Sequence, residues 1–346
     1  MTDKTDALLK EAARELFSYP ETTGKEELKY VVKRLIRPAA TGKRDPFFWP
    51  HAMLTQALEA AGDRKTLKKY YESWINKGMP IPYMDTVMNG YSLLYCYEED
   101  RDRGMLAAGE ALLQYLLNYQ GEMKGTIPYR KHHPTHIYVD GIGMTAPFLA
   151  RYAQAAQKKE AADLAFQQLS LFLEKGMDKH TGLPYHGYDT KTLEKLGIIG
   201  WGRGVGWLML GLADSLEFLP ADEDKGKLTE GFGRLVKAAM PYQRKDGYFS
   251  WQLETEEGPK DTSATAMVAY AVQKGSNLGV LSEDYEEALI RMEAAILSSV
   301  REGKIYDCSG ECEGFSQYPQ IYGAYPWSLG PGLRFLLERK KCLLLS

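Results

Sequence analysis

The chain has 346 residues, with 43 Lys+Arg against 46 Asp+Glu and a net charge of −3. So balanced a composition offers no electrostatic footprint for nucleic acid or an anionic membrane. Hydrophobic residues make up 44%, enough for a sizeable core, and no apolar run reaches membrane-spanning length.

Helical patterns dominate from the start. Residues 4–17 and 25–37 read as helices, and Trp49-Pro50-His51 opens one that runs to Ala60. Further helices are expected over 67–77, 85–98, 105–119, 144–157, 161–175, 203–218, 229–240, 261–273, 284–300 and 327–339. Two kinds alternate. The helix over 161–175 carries one apolar stripe, Ala165, Leu169, Phe172 and Leu173, with Gln167, Gln168, Ser170 and Glu174 facing away. The helix over 203–218 is apolar or small nearly all round, as Gly204-Val205-Gly206-Trp207-Leu208-Met209 shows, and the helix over 261–273 is similar. A helix of the second kind is buried on every side.

A short extended element recurs ahead of the buried helices: Gly125–Tyr129, Gly182–His186, Gly247–Trp251 and Gly303–Tyr306. A repeat of that length is one helical hairpin. Six buried helices, starting near 50, 85, 140, 203, 261 and 327, alternate with amphipathic ones. The compact arrangement is an all-α (α/α)6 toroid, an inner ring of six wrapped by an outer six, as one domain over residues 1–346. An open solenoid is the structural alternative.

In a toroid all inner N-termini open on one face. The residues there are His51, Asp85, Asp140, Trp201 with Arg203, Asp261 and Trp327. Capping alone would account for the Asp residues. It does not account for Arg203, because the helix dipole opposes a cation at an N-terminus. An arginine there calls for an anion to hold. Acids, an arginine and indoles at one mouth suit a sugar, since Trp and Tyr present a flat apolar face with a polar edge, and two acids are the usual means of glycosidic cleavage.

At this point the chain resembles glycoside hydrolase family 105, the unsaturated rhamnogalacturonyl hydrolases, and the related family 88 unsaturated glucuronyl hydrolases. The likeness rests on Pro82-Tyr83-Met84-Asp85-Thr86, Tyr138-Val139-Asp140-Gly141-Ile142-Gly143-Met144, His186-Gly187-Tyr188-Asp189 and Gly200-Trp201-Gly202-Arg203-Gly204-Val205-Gly206-Trp207. Asp261-Thr262-Ser263-Ala264-Thr265 and Tyr325-Pro326-Trp327 continue it, over roughly residues 40 to 340. The resemblance implies a substrate with a C4=C5 double bond, as a polysaccharide lyase leaves it. Asp140 would protonate C4, water would add at C5, and the hemiketal would open to release the neighbouring sugar. It implies Asp140 and Asp85 as catalytic residues, with His136, His186, Trp201, Arg203, Trp207, Asp261 and Trp327 binding substrate, and no metal or other cofactor. A general acid at a helix N-terminus is under tension, because the dipole favours its ionised form.

Three other readings stay open: an inverting glycosidase using Asp85 and Asp140, a sugar epimerase using two of His132, His133, His136 and His186, and a glycan-binding module. Cysteines at 96, 308, 312 and 342 are too scattered for a disulfide framework, and Cys308 with Cys312 lacks a second ligand pair for zinc. With a charged, amphipathic segment over residues 1–15, they lead to the expectation of a cytoplasmic enzyme. It is expected to act on small oligosaccharides as a monomer or weak homo-oligomer.

Overall fold

A computed structural model describes residues 2–18 and 47–345. The helix expected over 25–37 lies outside the described residues. Twelve α-helices are found among those described. The inner ones are α2 (Trp49–Ala60), α4 (Gly90–Asp100), α6 (Val139–Ala156), α8 (Gly202–Phe218), α10 (Thr262–Asn277) and α12 (Pro326–Leu345). The outer ones are α1 (Thr2–Phe17), α3 (Arg64–Asn76), α5 (Arg103–Leu117), α7 (Lys159–Lys175), α9 (Glu223–Ala239) and α11 (Glu286–Ser298). Each inner helix packs on the next, and α12 packs back on α2, so the ring closes as an (α/α)6 toroid and the solenoid is excluded. The outer α1 sits over the α2–α12 seam.

The burial alternation expected from sequence is present. Every residue of α8 from Gly202 to Leu216 is buried, whereas α7 buries only Ala161, Leu164, Ala165, Gln168, Leu169 and Phe172. Inner helices pack so closely that some contacts are backbone to backbone. A Cβ at Gly143 of α6 would stand 2.5 Å from the Trp207 carbonyl oxygen of α8. Only glycine permits that approach.

Several boundaries differ from the sequence reading, two of them beside the site. Residues Met84–Asn89 form a 3-10 turn ahead of α4 rather than its first turns. The Asn89 amide donates to the Thr86 carbonyl at 3.1 Å and to the Phe47 carbonyl at 2.6 Å, an alternative to the helical ladder. And α6 begins at Val139, five residues before the expected Met144.

Strands are few and short. β1 (His136–Tyr138), β2 (Tyr185–Asp189) and β3 (Lys195–Ile199) form one antiparallel sheet in the order β1-β2-β3. β4 (Val300–Arg301) pairs with β5 (Lys304–Ile305), and β6 (Cys308–Ser309) with β7 (Tyr322–Gly323). All three small sheets lie in connections that enter inner helices, the element expected before the buried helices. Of the four segments named for it, Tyr185–His186 and Lys304–Ile305 are strand, while Gly125–Tyr129 is not.

Candidate active site

β1 runs straight into α6, and its register with β2 sets the first contact of the site. Tyr138 pairs with Gly187, so His186 on β2 lies beside the first turn of α6. There His186 Nε2 is 3.0 Å from Asp140 Oδ2. The His186 side chain is 1% exposed, that of Asp140 13%. Asp140 is not a helix cap. Tyr138 occupies the N-cap position and makes no side-chain cap, which leaves the Asp140 carboxylate for other partners. Aromatic rings box in the imidazole: Trp201 at 4.5 Å, Phe315 at 5.1 Å, Tyr138 at 5.4 Å and Tyr318 at 5.5 Å between centroids.

Asp85 lies in the 3-10 turn ahead of α4 and accepts a 3.0 Å hydrogen bond from the Tyr129 hydroxyl. Burial, then the Asp85 and Asp140 carboxylates, push the Tyr129 phenol well above its usual range. Both acids therefore act on one half-buried tyrosine that stays protonated as a donor.

On the far side of Trp201 sits Arg203, in the first turn of α8 and 2% exposed. Its Nη1 donates to Ser309 Oγ at 2.7 Å and to the Ser309 carbonyl at 3.1 Å, and its Nη2 donates to the Gly310 carbonyl at 2.8 Å. Ser309 Oγ in turn donates to Asp261 at 2.6 Å. The guanidinium lies over Trp201 at 4.8 Å and Trp327 at 5.7 Å. Burial alone would lower the Arg203 pKa, but the neighbouring Cys312 and Asp261 raise it, so it keeps its charge. Trp201, Arg203, Trp251, Ser309, Gly310, Cys312, Tyr318 and Gln320 border an open cleft of about 180 Å³.

Residues 48–343 match the sequence profile of Glycosyl Hydrolase Family 88. The chain belongs to that family. It is 23% identical over 337 residues to the unsaturated rhamnogalacturonyl hydrolase YesR of Bacillus subtilis, covering 90% of this chain and 95% of that one. The fold is that of a possible member of glycoside hydrolase family 105 from Klebsiella pneumoniae, at TM-score 0.86 and 19% identity, covering 99% of this chain and 94% of that one. It is shared too by an unsaturated glucuronyl hydrolase specific for heparin, at TM-score 0.73 and 16% identity, covering 99% and 96%.

In this family 88 chain the residues singled out from sequence fall into two groups. Trp201 and Arg203 border the cleft, and Asp140 with His186 stands next to its wall, their donor atoms within 4.8 Å of the Cys312 sulfur. Asp261, Trp327 and Trp207 do not reach the cleft. Asp261 is fully buried as the N-cap of α10, accepting from the Ser263 amide at 2.9 Å. Its second task is to hold Ser309, so it is the anion for Arg203, supplied by the protein through a serine. One carboxylate thus stands near Arg203 from within the protein, one serine away. Trp327 stacks on Tyr325 at 4.5 Å and donates its indole N–H to the Ser309 carbonyl at 2.9 Å. Trp207 is 1% exposed, edge-on to Trp49 at 5.6 Å, and belongs to the floor. All-apolar inner helices mark no face in the sequence, so floor and wall indoles look alike. His136 stands at the outer rim, 3.4 Å from Asp189 and stacked on His133 at 4.9 Å.

Sequence reasoning passed over Ser309, Gly310, Phe315 and Tyr318, and treated Cys312 only as a zinc candidate. All five lie in the connection between α11 and α12. Its length was the available signal, because long irregular connections in compact folds are usually functional. Asp140, His186 and Cys312 each bring a donor atom within 4.8 Å of the others, a spacing that could hold an ion. Burial, with Asp140 adding to it, pushes the Cys312 thiol up to about 12. Arg203 lies against that thiol, and its fixed charge works against a cation there.

Proposed function

We propose that this enzyme hydrolyses lyase-generated oligosaccharides bearing a C4=C5 unsaturated uronic acid at the non-reducing end, of the unsaturated galacturonyl-rhamnose type. Asp140 is the general acid. It gives a proton to C4, water adds its hydroxyl at C5 and returns a proton to Asp140. The C5 hemiketal then opens to a ketone, and the hemiacetal left at C1 releases the neighbouring sugar. Trp201 offers its face to the ring, and the cleft edge of Arg203 meets the uronate carboxylate as a planar fork. Asp85 holds Tyr129 and binds substrate hydroxyls.

One observation carries the reading. A single carboxylate, uncapped and 13% exposed, is backed by a buried histidine 3.0 Å away. Asp85 is committed to Tyr129 and only 8% exposed, which disfavours the pair of flanking acids that an inverting glycosidase needs. The four free thiols fit a reducing compartment, and with it the cytoplasm and imported short substrates.

The test is to incubate the protein with lyase-generated unsaturated disaccharides in heavy water. The ultraviolet absorbance of the conjugated double bond should vanish, and one solvent deuterium should appear at C4 of the product. A released sugar with the double bond intact, or a product without deuterium at C4, would reject hydration.

A further inference from the structure

His186 has a second partner that the proposed chemistry does not use. Its Nδ1 is 2.7 Å from the Tyr318 hydroxyl. That hydroxyl also accepts from the Ile198 amide at 3.3 Å. The amide is free to donate because the β2–β3 ladder is irregular at this point. Tyr185 pairs with Ile199 but Gly187 pairs with Leu196, which leaves Gly197 and Ile198 as a bulge opposite His186. Gly197 has φ +77°, and a Cβ there would stand 2.6 Å from the His186 Cβ and 2.7 Å from the Tyr318 hydroxyl. The bulge thus both admits the tyrosine and supplies its fixed donor.

A tyrosine oxygen has two lone pairs and one hydrogen. The Ile198 amide takes one lone pair. The remaining lone pair and the hydrogen both lie within reach of Nδ1, so the hydroxyl can accept from Nδ1 or donate to it. When Asp140 and His186 together hold no extra proton, Nε2–H donates to the Asp140 carboxylate and bare Nδ1 accepts from Tyr318. When the pair takes up one proton, Nδ1 carries a hydrogen and gives it to Tyr318. The proton shared by Nε2 and Asp140 Oδ2 can then leave to C4 while Nδ1 keeps its hydrogen and its bond to Tyr318.

Resting on Asp140 as the acid, we propose that Tyr318 is a positioning residue whose hydroxyl turns from donor to acceptor as the Asp140–His186 pair takes up the catalytic proton. The other ionisable groups facing the pair are Arg203 from α8, Tyr129, Tyr138, Cys312 and, beyond Tyr129, Asp85 and Glu311. Burial pushes Tyr138 and Cys312 up to about 12 and Tyr129 well above its usual range, so none of these three titrates near neutrality.

Two measurements test this. The first is the pH profile of kcat/KM for the wild type and Tyr318→Phe on an unsaturated disaccharide. Activity needs the proton-bearing pair, which is lost as pH rises. The Phe variant removes the acceptor for Nδ1–H, a loss that weighs more on the protonated state, so its alkaline limb should move down by about one pH unit. A limb that stays in place, however far the plateau drops, overturns the proposal. The second needs no substrate and no folded variant at position 318. Long-range ¹⁵N correlation spectra of the wild type, with His186 assigned by its absence in His186→Asn, should show Nδ1 losing its hydrogen as pH rises. An Nδ1 that keeps one protonation state throughout overturns it. Should the wild type fail to consume the double bond, the proposed function falls while the spectra still decide the role of Tyr318.

Discussion

Two of the four arginines buried on the inner helices, among the described residues, are held in opposite ways. At the mouth of the ring, Arg203 meets carbonyls and hydroxyls, and its carboxylate, Asp261, stands one serine away. Deeper in the ring, Arg334 of α12 meets Asp214 of α8 directly, in two bonds of 3.0 and 2.9 Å, with Gln56 of α2 at 3.0 Å. The deep guanidinium lies over the Tyr270 ring of α10 at 3.8 Å. Four inner helices are thereby tied through one closed ion pair, a fully satisfied buried network. The difference separates a charge that serves the fold from one that remains partly available. A directly paired arginine has little left to offer a ligand. One held by neutral acceptors keeps much of its field, and at Arg203 that field is directed at the cleft.

Substitutions can break this contrast. The largest effect is expected at the mouth. Asp140→Asn keeps the shape but cannot donate a carboxylic proton, so kcat should fall roughly a hundredfold to ten-thousandfold with the melting temperature nearly unchanged. An Asn variant with wild-type turnover would mean that Asp140 is not the acid. The deep pair should behave in the opposite way. Asp214→Asn strands a buried guanidinium and should cost about 3–5 kcal/mol of stability, read from urea unfolding, while the folded fraction keeps its kcat. Equal stability would show that Gln56 and Tyr270 suffice for Arg334.

Arg203→Lys comes next. It keeps the charge and loses the fork that Ser309 and Gly310 hold, so kcat/KM should drop by about ten- to a hundredfold, mostly through KM. If kinetics stay normal, Arg203 is as structural as Arg334 and the contrast collapses. The smallest effect is expected at Cys312. With its thiol pushed up to about 12, it is protonated at every pH below that value and a poor nucleophile at neutrality. Alkylation at neutral pH should spare Cys312 by peptide mapping and leave activity intact, whereas rapid loss of activity with modification at 312 would show an ionised thiol.

What the sequence made legible follows from what each signal encodes. Burial on every side of 203–218 and one-sided burial of 161–175 placed α8 inside and α7 outside, because helical periodicity reports solvent directly. Asp140 was legible as a carboxylate at a helix start, though the periodic stretch began too late to show that Tyr138 and not Asp140 is the cap. The partners of Arg203 were not legible. Asp261 reaches it only through Ser309, and no local pattern links residues 203, 261 and 309. Tyr318 was hidden for a related reason, since its place beside His186 depends on a bulge at Gly197 and on a connection without periodicity.

That connection has a consequence for how the enzyme can diverge. The proposed proton donor, Asp140, stands on the ring itself, where α6 and α8 meet with the Gly143 backbone against the Trp207 carbonyl, and little can move there. Much of the sugar-facing wall, from Ser309 to Tyr318, hangs between α11 and α12 on a ladder of two residue pairs, Cys308 with Gly323 and Ser309 with Tyr322. On the proposed reading, exchanges in that segment that spare Phe315 and Tyr318, which pack on His186, would retune which neighbouring sugar is accepted while leaving the acid in place.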